Sequence, residues 1–197
     1  MAGSDPQPRV VIAEDEAIIR LDLKEMLEEE GYEVVGEADN GDDAVRLARD
    51  LRPDLSILDI KMPGTDGLSA AREIVAERLS AVLILTAFSQ RELIKSARDA
   101  GAYAYVVKPF QKSDLIPAIE LALGRFGEVQ QLESEVRDLN ERLEARKVVD
   151  RAKGKLMDEQ GLSEAEAFRA IQQAAMRARM TMRDVSTRLL ETGSLET

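Results

Sequence analysis

The chain has 197 residues, 44% of them hydrophobic, which suits one ordinary globular domain joined to a smaller second one. It contains no cysteine and no histidine. That excludes a disulfide framework, a thiolate zinc site, a cysteine nucleophile and an imidazole base, and leaves carboxylate, hydroxyl and lysine chemistry.

The net charge of −11 is unevenly placed. Residues 1–124 carry 14 Lys+Arg against 24 Asp+Glu, residues 125–145 carry 3 against 6, and residues 146–197 carry 10 against 8. An acidic chain repels nucleic acid on average, so any such contact must come from a local basic face in the last segment. Residues 1–8 have neither a basic start nor an apolar run and are expected to be disordered. No stretch approaches the ~20 apolar residues of a bilayer span, so a cytosolic (cytoplasmic) protein with no membrane partner is expected.

Apolar, β-rich runs at 10–13, 32–36, 55–58, 82–86 and 103–107 alternate with amphipathic patterns at 17–29, 42–50, 68–78, 91–100 and from 113 onward. Continuous apolar runs such as Val82-Leu83-Ile84-Leu85 suit strands buried on both faces, and the intervening helices supply the two covers. The spacing predicts an α/β fold over residues 9–124, a doubly wound five-stranded parallel sheet. From Leu115 a seam continues through Ile119, Ala122, Phe126, Val129, Leu132, Val136, Leu139 and Leu143 in steps of three and four. The fifth helix is therefore expected to leave this domain as a coiled-coil-like linker over 125–146, packing on its own chain or on a second copy.

Beyond Arg146 the pattern predicts a small three-helix domain over 147–194: the continuing rod to about 157, then 164–178, then 182–191. Ser163 with Glu166 forms a capping box, Thr181 with Asp184 a weaker one, and Gly161 and Gly193 act as stops. Val148, Ala152, Leu156, Phe168, Ile171, Ala175, Val185 and Leu189 are expected to face one small core.

The chemistry gathers at strand ends. Glu14 and Asp15 close the first strand, Asp59 the third, Thr86 the fourth, and Lys108 follows the fifth, so all converge on the crevice where doubly wound sheets bind ligands. Each alone would read as a helix cap or a solvated loop residue. Together, Asp15, Asp59 and the backbone carbonyl of Lys61 offer the oxygen ligation that Mg2+ prefers. Asp59 is the candidate nucleophile, the phosphoacceptor of an acyl phosphate, with Lys108 and the Thr86 hydroxyl neutralising the transferring group. Lys108 precedes Pro109, where a cis peptide is affordable.

Residues 9–124 resemble a receiver domain of the two-component response regulators, through Glu14-Asp15, Asp59-Ile60-Lys61-Met62-Pro63-Gly64 with Asp66-Gly67, Thr86-Ala87 and Lys108-Pro109-Phe110. The resemblance implies a flavodoxin-like fold, a sensor histidine kinase as phosphoryl donor, and a switch in which Thr86 moves and Tyr105 turns inward. Glu14 stands where many members have Asp, so it is expected to reach the metal through water. By the same resemblance, Lys61 and Phe88 tune dephosphorylation. The chain would then be no enzyme beyond self-catalysed phosphotransfer and slow dephosphorylation, and its linker would pair two copies when phosphorylated.

The segment 149–157, then Gly161-Leu162-Ser163-Glu164-Ala165-Glu166-Ala167-Phe168, then Met182-Arg183-Asp184-Val185 resembles the ANTAR domain of transcription antitermination regulators, over about 135–194. That resemblance implies RNA hairpin binding. The candidate contacts are Arg146, Lys147, Arg151, Lys153 and Lys155 on one helix and Arg177, Arg179 and Arg183 on its neighbours. On the residues alone, these are also what solvated helix faces carry. The sole aromatic after Phe126 is Phe168, expected in the core, so recognition is expected to rely on arginines and hairpin shape.

Other outputs stand beside this one. The three helices could be a DNA-binding helix-turn-helix, although no clean three- or four-residue turn before an arginine-rich helix is evident. The tail could instead bind a protein partner. An aspartyl-phosphate phosphatase would carry a second carboxylate two residues after the nucleophile, where this chain has Lys61.

Overall fold

The computed structural model describes residues 7–87 and 91–195, with nothing assigned to the side chains of 91–93. Of residues 1–8, expected to be disordered, 1–6 lie outside the described residues, as does the role of Phe88, while the carbonyl of Pro8 accepts from the Glu33 amide at 3.0 Å. The chain divides after Gln130 into two compact units.

In the first unit, strands β1 (Arg9–Ala13), β2 (Glu33–Ala38), β3 (Leu55–Asp59), β4 (Ala81–Thr86) and β5 (Ala104–Val107) form one sheet in the order β2-β1-β3-β4-β5. Every pairing is parallel. Helices α1 (Ala17–Glu29), α2 (Gly41–Leu51), α3 (Gly67–Ala76) and α4 (Arg91–Asp99) alternate with the strands, and α5 (Lys112–Gln160) follows β5. This is the flavodoxin-like order, with the strand order reversing between β1 and β3.

Two cores cover the sheet. Leu23 and Leu27 of α1 pack with Leu115, Ile119 and Ala122 of α5 against Val10, Ile12, Ile57 and Leu83. On the other face Ala44, Val45 and Ala48 of α2, Ala70, Ala71 and Ile74 of α3 and Ala97 of α4 meet Ala13, Leu58, Val82 and Ile84. β3 and β4 are buried at every position, which is why they read as unbroken apolar runs. Asn40 and Asp66 cap α2 and α3 by accepting from the Asp43 and Ser69 amides.

α5 runs unbroken for 49 residues. Pro117 sits near its start, and a Cβ at Gly124, Gly127 or Gly154 would meet nothing, so these glycines leave the helix intact. Leu132, Val136, Leu139 and Leu143 are 52 to 63% exposed. The seam is thus buried at Leu115, Ile119 and Ala122 but lies open among the described residues from Leu132 to Leu143.

The second unit holds the end of α5 with α6 (Glu164–Ala178) and α7 (Met182–Thr192). Ser163 and Glu166 make the reciprocal capping box, and Thr181 accepts from the Asp184 amide. The core comprises Ala152, Leu156, Ala167, Ile171, Ala175, Val185 and Leu189. Three expectations need correction. Ala167 takes the core place expected of Phe168, because 167, 171 and 175 form a straight i,i+4 row, and the Phe168 ring is 42% exposed. Val148 is only half-buried. Also, α6 and α7 are joined by a clean three-residue connection, 179–181. Among the described residues, no helix is long and apolar enough to cross a membrane.

Candidate phosphoryl-transfer site

The crevice at the carboxyl ends of β1, β3, β4 and β5 collects the residues the sequence singled out. Glu14 follows β1 and is held by its backbone: its amide donates to Ala38 O at 3.1 Å, and Arg20 Nη1 donates to its carbonyl at 2.5 Å. Asp59 ends β3, and the next amide, Ile60, donates to Leu85 O on β4. Lys108 is tied to the end of β4 through its amide, which donates to Thr86 O at 2.7 Å. The Lys108–Pro109 peptide is cis.

Glu14 is fully buried, Asp59 nearly so, and Asp15 is exposed. One carboxylate oxygen from each of the three lies within 4.8 Å of the others. Lys108 Nζ stands 2.5 Å from Glu14 Oε2 and 3.2 Å from Asp59 Oδ2. Burial pushes the Glu14 and Asp59 carboxyls above their ordinary range, and the Lys108 ammonium opposes that rise in both. Burial pulls Lys108 down, but the two carboxylates outweigh it and raise the ammonium above its ordinary value. Two buried carboxylates with one cation leave net negative charge and unshared oxygen lone pairs in a small volume, which is a site built for a further cation. All the donors are hard oxygens, so the arrangement fits Mg2+.

Thr86 is buried at the end of β4, while Tyr105 on β5 is 44% exposed. Lys61 lies exposed in the loop after β3. Sequence reasoning missed two supports. Glu14 was expected to act on a metal through water, and here its side chain also grips Lys108, a contact across 94 positions. Gly67, whose place beside Asp66 gives no local sign of its role, is the second. A Cβ there would stand 1.8 Å from Asp59 O, so only glycine lets α3 start against the backbone of Asp59.

In the second unit the candidate basic residues separate into two groups. Lys147 pairs with Glu144, Lys155 with Glu159, and Lys153 with both Asp150 and Glu164, each at 2.7 Å. Arg146 reaches Asp150 at 3.9 Å, and Arg177 donates to Gln173. Arg151, Arg179 and Arg183 have no ion-pair partner among the described residues and are exposed.

A five-stranded parallel sheet in this order, with an acidic trio and a lysine at its carboxyl edge, defines a receiver domain. Residues 10–120 match the response regulator receiver domain and residues 137–190 the ANTAR domain. The chain belongs to the response regulators, as a receiver domain followed by an ANTAR domain. It is 60% identical over 184 residues to the transcriptional regulatory protein PdtaR of Mycobacterium tuberculosis (strain CDC 1551 / Oshkosh), covering 93% of this chain and 90% of that one. It is 39% identical over 112 residues to the chemotaxis protein CheY of Thermotoga maritima, covering 56% of this chain and 93% of that one. Among solved structures, the signal receiver domain of a modulated diguanylate cyclase from Desulfovibrio desulfuricans G20 superposes with a TM-score of 0.57 at 34% identity, covering 61% of this chain and 97% of that one. A LuxR-family two-component response regulator from Aurantimonas sp. SI85-9A1 gives 0.57 at 30% identity, covering 66% and 98%.

Proposed function

We propose that this response regulator is activated by phosphorylation of Asp59 and acts as a transcription antiterminator by binding RNA hairpins through its ANTAR domain. The observation that carries the first half is the convergence of Asp59, Glu14, Asp15 and Lys108 on one crevice, with the nucleophile and its cation 3.2 Å apart.

Asp15, Asp59 and the Lys61 carbonyl, with Glu14 through water, would hold Mg2+. When bound, the ion neutralises charge on the transferring phosphoryl group. The donor is the phosphohistidine of a sensor kinase. Asp59 Oδ attacks phosphorus, the O–P bond forms as the N–P bond breaks, and the imidazole leaves and is reprotonated from solvent. Lys108 then exchanges its Asp59 contact for a phosphoryl oxygen while its ammonium keeps its bond to Glu14 Oε2. The Thr86 hydroxyl donates to another phosphoryl oxygen, and the room it vacates admits the Tyr105 ring. The acyl phosphate decays slowly by hydrolysis, without turnover on any other substrate.

The output follows from the ANTAR match and from three exposed arginines outside any ion pair among the described residues, Arg151, Arg179 and Arg183, whose planar guanidiniums suit phosphates. The open row Leu132, Val136, Leu139 and Leu143 supplies a surface on which two phosphorylated copies would pair. The three-residue connection between α6 and α7 favours a helix-turn-helix as a second reading, yet α7 carries only Arg183 and Arg188 against Asp184 and Glu191. Gel-shift assays of the phosphorylated chain with RNA hairpins and with promoter duplex at matched salt separate the two. Hairpin binding that rises on phosphorylation and does not rise in Asp59→Asn supports this function, and preferential duplex binding overturns it.

A further inference from the structure

We propose that a cleft between α5, α6 and the start of α7 receives one unpaired base from the loop of an RNA hairpin, with the Phe168 ring as its stacking surface and Arg146 and Arg183 at the adjacent phosphates. This subsite rests on the RNA-binding function proposed above and specifies where and how the loop is read.

The cleft has a volume of about 530 Å³. Ala145 and Val149 of α5 and Met182 of α7 supply apolar walls, and Phe168 of α6 lines it as the sole aromatic of residues 127–197. The ring is not needed by the core, which Ala167, Ile171 and Ala175 complete on that helix. A large apolar side chain left 42% exposed at the cleft is a cost that a stacked partner would remove, whereas Met176, 69% exposed on the same helix, does not line the cleft.

The charge at the rim favours a nucleotide as that partner. Arg183 has no ion-pair partner among the described residues, and Arg146 has only the 3.9 Å contact with Asp150. Asp150 also lines the cleft, but it is engaged by Lys153, which Glu164 holds on its other side. A π-face flanked by two guanidiniums matches a base and the phosphates on either side of it. Apart from Thr181 in the α6–α7 connection the walls are helical, so they offer no strand edge to an extended peptide.

The test uses the full-length chain, phosphorylated with acetyl phosphate and Mg2+, and an RNA hairpin pool with a fixed stem and a randomised loop. A duplex of the same stem without a loop is the control. F168A should weaken hairpin binding on the order of five- to a hundredfold, the effect of one lost stacked base, with unchanged duplex binding and unchanged salt dependence. R183Q should weaken both and flatten the salt dependence. F168W should retain hairpin affinity, and because the chain has no tryptophan, its single indole should be quenched by the hairpin and not by the duplex. Circular dichroism checks that each variant is folded. Native affinity in F168A with an unquenched indole in F168W overturns the stacking subsite and leaves RNA binding standing, as would be found if the cleft took a protein side chain. Failure of the native chain to bind any hairpin overturns both.

Discussion

The Lys108 ammonium stands 2.5 Å from Glu14 and 3.2 Å from Asp59, so the cation that serves the phosphoryl group is gripped most closely by the nucleophile's neighbour. On the proposed mechanism Glu14 keeps that lysine in place when Asp59 is phosphorylated. Lys108→Ala should therefore still form some acyl phosphate, yet lose the phosphorylation-dependent change in RNA affinity. Without Mg2+ it leaves two buried carboxylates with no cation, at a cost of about 3 kcal/mol in urea unfolding. Saturating Mg2+ should narrow that gap, because an ion that binds the folded state stabilises it by mass action. A stability loss indifferent to Mg2+ would separate the lysine from the acidic trio.

Gly67 sets how closely α3 approaches the nucleophile. Gly67→Ala places a methyl against Asp59 O and Ile60 Cα and also strains the Gly67 N to Ile60 O bond. We expect a loss of about 3 kcal/mol by thermal or urea unfolding, together with slower phosphorylation by acetyl phosphate. Normal stability with slowed labelling would mean that the loop yields and the nucleophile moves.

Tyr32 and Glu120 join the end of α1 to α5 through a 2.5 Å hydrogen bond between residues 88 positions apart. Burial first, and then the Glu120 carboxylate, push the Tyr32 phenol well above its ordinary value. The unfolded chain thus loses this proton at lower pH than the folded one. The stabilisation is full below about pH 10 and falls by about 1.4 kcal/mol per pH unit above it, until the folded phenol itself ionises. Urea unfolding between about pH 8 and 11 should show that extra slope in the native chain and not in Tyr32→Phe.

The legible parts of this molecule are those that short segments determine. Buried runs such as 82–85 fix central parallel strands, and the strand ends place Asp59, Glu14 and Lys108 in one crevice before any contact is known. What escaped are relations that depend on packing between distant segments. The Glu14 to Lys108 and Tyr32 to Glu120 bonds have no local signal. Phe168 was misplaced because its apolar character suggests the core, whereas a tightly packed three-helix unit takes the small Ala167 on that row and leaves the ring outside. The length of α5 was legible too: the seam in steps of three and four and the rod expected to about 157 span most of Lys112–Gln160, and a Cβ at its three internal glycines would meet nothing.

RNA affinity should fall steeply with salt, by about 0.7 log unit per tenfold salt for each phosphate neutralised on single strands. Arg151→Gln with Arg183→Gln should lower that slope by roughly 1.4, as neither arginine is held in an ion pair among the described residues and Glu144, itself paired with Lys147, acts on both only at longer range. Lys153→Gln should change it less, because Asp150 and Glu164 already compensate the ammonium. Titration of a hairpin across a salt series measures all three, and equal slopes would move the interface elsewhere.

Intact-protein mass spectrometry after treatment with acetyl phosphate and Mg2+ tests the central claim most directly. The native chain should gain one phosphoryl group that is lost in alkaline hydroxylamine, as an acyl phosphate is, and Asp59→Asn should gain none while keeping its circular dichroism spectrum. Labelling of folded Asp59→Asn at the native stoichiometry would contradict the assignment of Asp59 as the phosphoacceptor.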